Sequence, residues 1–546
     1  MMLTPEQIDA IRDAATKLTD PISSYLISEI ARRISEAGQL TSTAAYEVWK
    51  LQNLGVSQRE IKKRIRKLLK VSHQELRRLL TQSAEVGYNY DIMNFPFAQA
   101  VPFAENIVLQ QTIAAAVKLA QDDLTNMVQT IGFVAPDGKT YPLTAAYKKA
   151  CDFAFEQVAT GASDYNTAIR QATKNLAHKG VQWIDYQSGA HTSLEAAVRR
   201  NIMGGLGLMQ EQISRQEHDS LGADGWEISA HAASAPDHEP IQGRQYSDAE
   251  YMALNNSLAR RIGTLNCGHV AFPVILGVSV PQYTPEELAK FKRDNATGIE
   301  YLGKHYTMYE ATQMQRKLER SMRAQKRKIL VDESTGDTEK LQIDQIKLQV
   351  LSGEYKRFSA AAGLRTQSER AEIANFGKGQ AARAKSGYAR VATAANSMYD
   401  IGSGEKNIKA YMRDLPLRRK IQSDQVITTI EPGQFRKHVA GTNEYKQYVE
   451  KLKKQGKNGP SRLTVSADEA QALVDQYKGT GILERTNDGV WQSKEVVTMH
   501  PDVIGVVVDN RNGAEAETTV FKIHYGKRGT HIVPDYPSKK GAKGRR

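Results

Sequence analysis

The chain is poor in cysteine, in tryptophan and in long apolar runs, and each shortage closes off a class of protein. Its two cysteines, Cys151 and Cys267, lie far apart in 546 residues, which argues against a disulfide framework and suits synthesis in a reducing cytoplasm. No stretch approaches the roughly 18 consecutive apolar residues of a membrane-spanning helix. The opening MMLTPEQIDAIRDAATKL is charged throughout, where a signal peptide needs an apolar centre. No membrane partner is expected. The N-terminal half also lacks a phosphate-cradling glycine loop, a nucleophile elbow and carboxylates at catalytic spacing, and no internal repeat or low-complexity tract occurs. Acid is in deficit: 74 Lys and Arg against 61 Asp and Glu leave a formal charge of +13 and a pI near 9.3. That balance suits attraction to RNA, to packaged DNA or to another polyanion.

Residues 1–215 read as mainly α-helical, with start signals at Thr4-Pro5-Glu6-Gln7, at Ser57 with Glu60 and at Ser72 with Glu75. Ile113, Val117, Ala120, Leu124 and Met127 fall on one helical face, the pattern of core or partner-helix packing. Gly204-Gly205-Leu206-Gly207 has no strand before it and reads as a helix break or a close-packing site.

Residues 216–330 form a small irregular α+β module and a basic helix, MQRKLERSMRAQKRKIL, whose first reading is a solvated face. His231, His238, Cys267 and His269 offer imidazoles and a thiolate for a tetrahedral zinc site, with Asp237 or Glu239 as an outer partner. Their spacing is not that of a standard finger, and a turn-rich knot around Trp226 and Cys267 accounts for the same composition. A Cys–His nucleophile dyad lacks an orienting third residue. Residues 331–431, rich in Gly, Ala, Ser and charge, read as a helical and flexible connector that includes the basic run Leu417-Arg418-Arg419-Lys420.

Residues 432–536 read as helices followed by an antiparallel meander, and 537–546 as a basic tail. Ser466 and Glu469 form a capping box, and Gly479 suits a helix C′ position. Val520, Lys522 and His524 alternate with Phe521, Ile523 and Tyr525 at the period of a half-buried strand. Gly526 to Gly529 is a turn, and Thr530 to Val533 the returning strand, so the simplest register sets His524 opposite His531. Two imidazoles near Lys522, Lys527 and Arg528 can supply a base for a ribose hydroxyl, an acid for the leaving oxygen and cations for phosphate, without a cofactor. Solvated edge-strand residues would give the same pattern.

This segment resembles the bacterial toxin 50 family of polymorphic-toxin ribonucleases. The resemblance is carried by Lys437-His438 with Gly441-Thr442, Pro460-Ser461, Gly479-Thr480-Gly481-Ile482-Leu483, Lys494-Glu495, Ile523-His524-Tyr525 and Gly529-Thr530-His531-Ile532-Val533-Pro534. It implies a barnase-like fold of helices then antiparallel sheet, metal-independent RNA cleavage through a 2′,3′-cyclic phosphate, and an immunity protein in the producing cell. Carried onto this chain, His531 with His438 or His524 are acid and base, Lys494 and Arg528 bind phosphate, and Thr530 and Ser461 donate hydrogen bonds.

A second resemblance, from near the N-terminus to about Leu330, is to the phage minor capsid protein 2 family, relatives of the Mu F-like head morphogenesis proteins. It rests on Trp226-Glu227-Ile228-Ser229-Ala230-His231, Pro236-Asp237-His238, Gln242-Gly243-Arg244-Gln245 and Asn266-Cys267-Gly268-His269, with Asp185-Tyr186-Gln187-Ser188-Gly189 and Arg199-Arg200-Asn201 upstream. Ala235 stands where the family pattern has an arginine. The resemblance implies a virion protein at the portal vertex or capsid interior, with portal and head proteins as partners, assembled in the bacterial host cytoplasm, and it puts zinc at the Cys/His cluster on a level with the turn-rich knot. The expectation is a multidomain phage head protein carrying a C-terminal ribonuclease. The alternative is a purely structural protein whose basic end binds nucleic acid or a head protein.

Overall fold

The computed structural model describes residues 5–40, 42–93, 101–185, 187–263, 267–399 and 404–536; the basic tail, together with Thr4, Tyr186 and Asn266, lies outside them. The chain divides into two compact units, Met1–Gly387 and Tyr388–Arg546. Among the described residues no helix is long and apolar enough to cross a membrane.

The first unit begins with helices α1 (Pro5–Lys17), α2 (Asp20–Gly38), α3 (Thr43–Met93), α4 (Ile107–Gln129), α5 (Leu143–Ala159), α6 (Tyr165–Lys179) and α7 (Leu194–Leu221). Strands β1 (Ile131–Val134), β2 (Thr140–Pro142), β3 (Gln182–Ile184) and β4 (His191–Ser193) form a sheet in the order β2-β1-β3-β4. The core centres on α2, where Ile22, Leu26, Ile27, Ile30 and Ile34 recur at helical spacing and are essentially fully buried. Each contributes about 1.5–3 kcal/mol of apolar transfer. In α4 the expected face is the buried one: Ile113, Val117, Ala120 and Leu124 are in the core, with Met127 packed at its margin.

Two local expectations are corrected. Helix α3 runs without interruption past Ser57 and Ser72. The Ser72 hydroxyl does not cap a new helix; it donates to the carbonyls of Leu18 at 2.6 Å and Leu68 at 3.3 Å, a local back-bond that leaves the helix intact. Helix α7 likewise passes through Gly204–Gly207 without a break. A Cβ on Gly263 would lie 4.0 Å from the Gly207 Cα, which agrees with close packing.

The following module is a three-stranded sheet, β6-β5-β7, of β5 (Gly225–Ile228), β6 (Gln245–Ser247) and β7 (Ala271–Val274), with α8 (Asp248–Ser257) started by a Ser247–Glu250 capping box. Helix α9 (Pro285–Thr297), the hairpin β8 (Ile299–Tyr301) with β9 (Lys304–Tyr306), and the mutually packed α10 (Met308–Thr335) and α11 (Thr338–Ala361) follow. Helix α12 (Lys378–Met398) contains the division between the units.

The second unit holds α13 (Gly404–Gln422), α14 (Pro432–Arg436), α15 (Asn443–Lys454), β10 (Arg462–Leu463), α16 (Ala467–Tyr477), β11 (Ile482–Arg485), β12 (Trp491–Val497), β13 (Gly505–Val508), β14 (Glu515–Thr518), β15 (Phe521–Tyr525) and β16 (Thr530–Pro534). The Ser466–Glu469 capping box is present, and Gly479 follows the last helical turn at φ +76°. The strands are antiparallel but do not form one meander. They split into β11-β12-β15-β16 and β10-β13-β14, because the β13–β14 hairpin leaves the first sheet after Val497 and pairs with β10 instead.

One face of the larger sheet is apolar. Phe521, Ile523 and Ile532 are fully buried there with Leu473 and Val474 of α16 and Ile421 of α13. Among them sits Glu495, also fully buried. Its carboxylate accepts from Gly479 N at 2.9 Å, from Gly481 N and from the Tyr525 hydroxyl at 2.6 Å, so it ties the α16–β11 loop to two strands. Behind that loop Arg418, from the basic run of the expected connector, is buried and donates to the Gly479 carbonyl and the Tyr399 hydroxyl, both at 2.9 Å. Asp414, buried on the same helix, pairs with Arg485 of β11 at 2.8 Å.

Replacing Glu495 by Ala leaves two amides and a buried hydroxyl without an acceptor. The expected loss is about 3–5 kcal/mol, measured by denaturant unfolding of the C-terminal unit. A loss under about 1 kcal/mol, the size of an ordinary hydrogen bond, would show that the loop is held by something else.

Candidate active site and metal centre

The register that buries one face of the larger sheet sets a polar row on the other. Lys494 pairs with His524, and His524 with His531, so an ammonium and two imidazoles lie side by side across β12, β15 and β16. The His524 and His531 ring centroids are 4.9 Å apart. The third imidazole comes from a different segment. His438 follows α14, where its amide donates to Phe435 O at 2.9 Å and its carbonyl accepts from Leu463 N at 2.7 Å. Its ring stacks 5.9 Å from His531 and meets Tyr448 of α15 edge-on at 5.8 Å. His438 Nδ1 lies 2.9 Å from the Ser461 carbonyl. A carbonyl can only accept, so Nδ1 carries the proton and Nε2 presents its lone pair.

Burial is the first cause of a common electrostatic bias. It lowers the pKa of His524 to about 3, with the charges of His531 and Lys494 adding to the effect. It lowers that of His531 to about 4, helped by His438 and Lys437 and opposed by the Glu431 carboxylate. His438 is lowered by burial and by Lys437, against the Ser461 hydrogen bond. All three are therefore neutral near pH 7, in a site whose lysines repel another proton.

The other expected residues are distributed as follows. Ser461 belongs to the site through its carbonyl; its hydroxyl accepts from Val508 N at 3.1 Å. Thr530 is fully buried on the opposite side of the strand, its hydroxyl donating to Ile427 O at 2.6 Å. Arg528 is exposed in the β15–β16 turn, and Lys522 is engaged by Glu484 at 2.7 Å and Asp535 at 3.2 Å. Sequence reasoning gave no site role to Lys437, Glu431 or Tyr448. Lys437 was visible beside His438, whereas Glu431 reads only as the N-cap of α14, where it accepts from Gln434 N.

In the first unit, His238, Cys267 and His269 bring three ligand atoms within 4.8 Å of one another. Cys267 Sγ is 3.2 Å from His238 Nδ1 and 3.5 Å from His269 Nδ1, and the two Nδ1 atoms are 3.4 Å apart. Those separations match donors around a tetrahedral ion bound at about 2.0–2.3 Å. The far nitrogens are committed: His238 Nε2 to Arg260 O and His269 Nε2 to Gln242 Oε1, both at 2.9 Å. That leaves each Nδ1 free to ligate. The residues fit zinc. His231 stacks on His269 at 4.3 Å with its Nδ1 donating to Ala232 O, beside the group of three. Asp237 pairs with Arg260 at 2.5 Å and lies 3.8 Å from His238 Nε2, as an outer partner would, whereas Glu239 accepts from Asn295 at 2.8 Å.

Comparison with known families gives two matches. The model described as phage minor capsid protein 2 matches residues 3–359, and that described as bacterial toxin 50 matches residues 430–534. Neither a curated protein nor a solved structure matches the chain.

The depressed imidazoles make stability depend on pH. In the unfolded chain a histidine takes up its proton near pH 6.5, whereas His531 and His524 resist it down to about 4 and about 3. As pH falls from about 6.5 towards 4, the unfolded state binds more protons and the folded state loses ground. The melting temperature of the C-terminal unit is expected to fall over this window, and less steeply in His524→Gln. An unchanged slope would contradict the assignment.

Proposed function

Because the chain belongs to the phage minor capsid protein 2 family and ends in a segment matching bacterial toxin 50, we propose that it is a portal-associated head protein of a tailed phage or prophage carrying a metal-independent endoribonuclease. The observation that carries the enzymatic reading is the convergence of three imidazoles from separate segments with Lys494 and Lys437. His438, with Nε2 unprotonated, is the base that takes the ribose 2′-hydroxyl proton. The freed oxygen attacks the adjacent phosphorus, and the P–O5′ bond breaks. His531, beside Glu431, protonates the departing 5′-oxygen, leaving a 2′,3′-cyclic phosphate. Lys494 and Lys437 stabilise the charge that grows on the phosphoryl oxygens. A bound phosphate also offsets the repulsion from the lysines and raises the His531 pKa, so the acid is charged only when substrate is present. Tyr448, half-buried against His438, offers a face on which a base can stack.

The fusion order favours carriage of the toxin in the particle and release with the genome into the next host, with an immunity protein guarding the producer. Peptides from residues 430–534 are expected by mass spectrometry of intact, purified virions. The full chain is expected to cleave labelled RNA in excess EDTA, and His531→Ala or His438→Ala to lower the rate roughly a hundred- to ten-thousand-fold. Intact RNA bound in a salt-sensitive way would favour a structural, nucleic-acid-binding role instead.

For the first unit the proposal is a structural zinc ion on His238, Cys267 and His269, supported by the three convergent donors and their fixed far nitrogens. Metal analysis of the purified chain is expected to give about one zinc per molecule, lost together with thermal stability in Cys267→Ala. A metal-free, equally stable wild-type protein would sink this reading.

A further inference from the structure

Apart from both sites, the first unit holds an open cleft lined by nine cationic side chains and five carboxylates. The basic run of α10 supplies four of the cations, Arg316, Arg320, Arg323 and Arg327. Their spacing of four, three and four residues puts them on one helical face. That face is turned towards α1, the start of α2 and the first turns of α7, from which Arg199 enters the same cleft.

The carboxylates, five against nine cations, neutralise only part of this group. Asp13 is held by Arg370 at 2.6 Å, and Glu195 by Arg323 and by Arg327 at 3.7 Å. Glu319 accepts from the Tyr355 hydroxyl at 3.0 Å, and Asp20 from Ala374 N. Arg199 and Arg320 form no hydrogen bond or ion pair among the described residues, and Arg199 Nε is buried without a partner. Burial lowers the pKa of both, helped by the neighbouring arginines and opposed by the Glu195 carboxylate. Like charges gathered in a partly desolvated cleft destabilise a fold unless an anion joins them. The guanidinium fork suits phosphate oxygens in pairs.

Size narrows the ligand. Arg316 to Arg327 span roughly 16 Å along the helix axis, more than one phosphate can bridge. We propose that this cleft binds a small anion with several linked phosphates, either an inorganic polyphosphate or the phosphate chain of a nucleotide.

The test is calorimetric titration of the full chain in phosphate-free buffer with inorganic tripolyphosphate and, separately, with a nucleoside triphosphate. One-to-one binding is expected, weakened about tenfold or more by each of Arg199→Gln and Arg320→Gln and unchanged by Lys63→Gln on the exposed side of α3. Tighter binding of the nucleoside triphosphate assigns a nucleotide; equal binding assigns the inorganic chain. The double variant, relieved of repulsion, is expected to melt at the same or a higher temperature without ligand. Absence of binding to both probes, binding that survives the double variant, binding of single-stranded DNA alone, or a lower melting temperature of the ligand-free double variant would each overturn the proposal.

Discussion

Strand register is the constraint on which the C-terminal unit depends. In β12, β15 and β16 the pairing that stacks Glu495, Ile523 and Ile532 on one face stacks Lys494, His524 and His531 on the other. A slip of one residue would move the imidazoles into the core and the apolar side chains into the site. The fold and the candidate site are thus specified by one alternation. The cost of a fully buried Glu495 is offset by three donors, and those bonds reach both strands and the loop, so the charge fixes position as well as charge balance.

Much of this was legible in the sequence. The His524–His531 pairing follows from the period of Phe521–Tyr525 and the turn at Gly526, and the Ser466–Glu469 box marked the start of α16, because such signals are local. The approach of His438 was not readable from its own segment; it depends on docking through Leu463 and Ser461. The faces of Thr530 and Ser461 were missed for the same reason, since a motif names a residue and not the direction of its side chain. The split of the strands into two sheets also escaped, because alternation gives a strand's faces and not its partner.

Basic runs were the least legible feature. By composition, Leu417–Lys420 and the arginines of α10 look solvated, yet Arg418 is buried against Gly479 and the α10 stripe lines a cleft. Long cationic side chains are placed by what packs beside them, and composition carries no record of it. Helix starts at Ser57 and Ser72 failed for a related reason, since a cap residue acts as one only where the preceding chain is not already helical.

The proposed reaction requires imidazoles kept neutral by burial and lysines until a phosphate arrives. Histidine titration by NMR, with and without a non-cleavable 2′-deoxy oligonucleotide, tests this most directly. The account predicts that His524 and His531 titrate far below 6.5 in the free protein, near the values of about 3 and about 4, and that His531 rises when the oligonucleotide binds. Ordinary values near 6.5 that do not move on binding would contradict it.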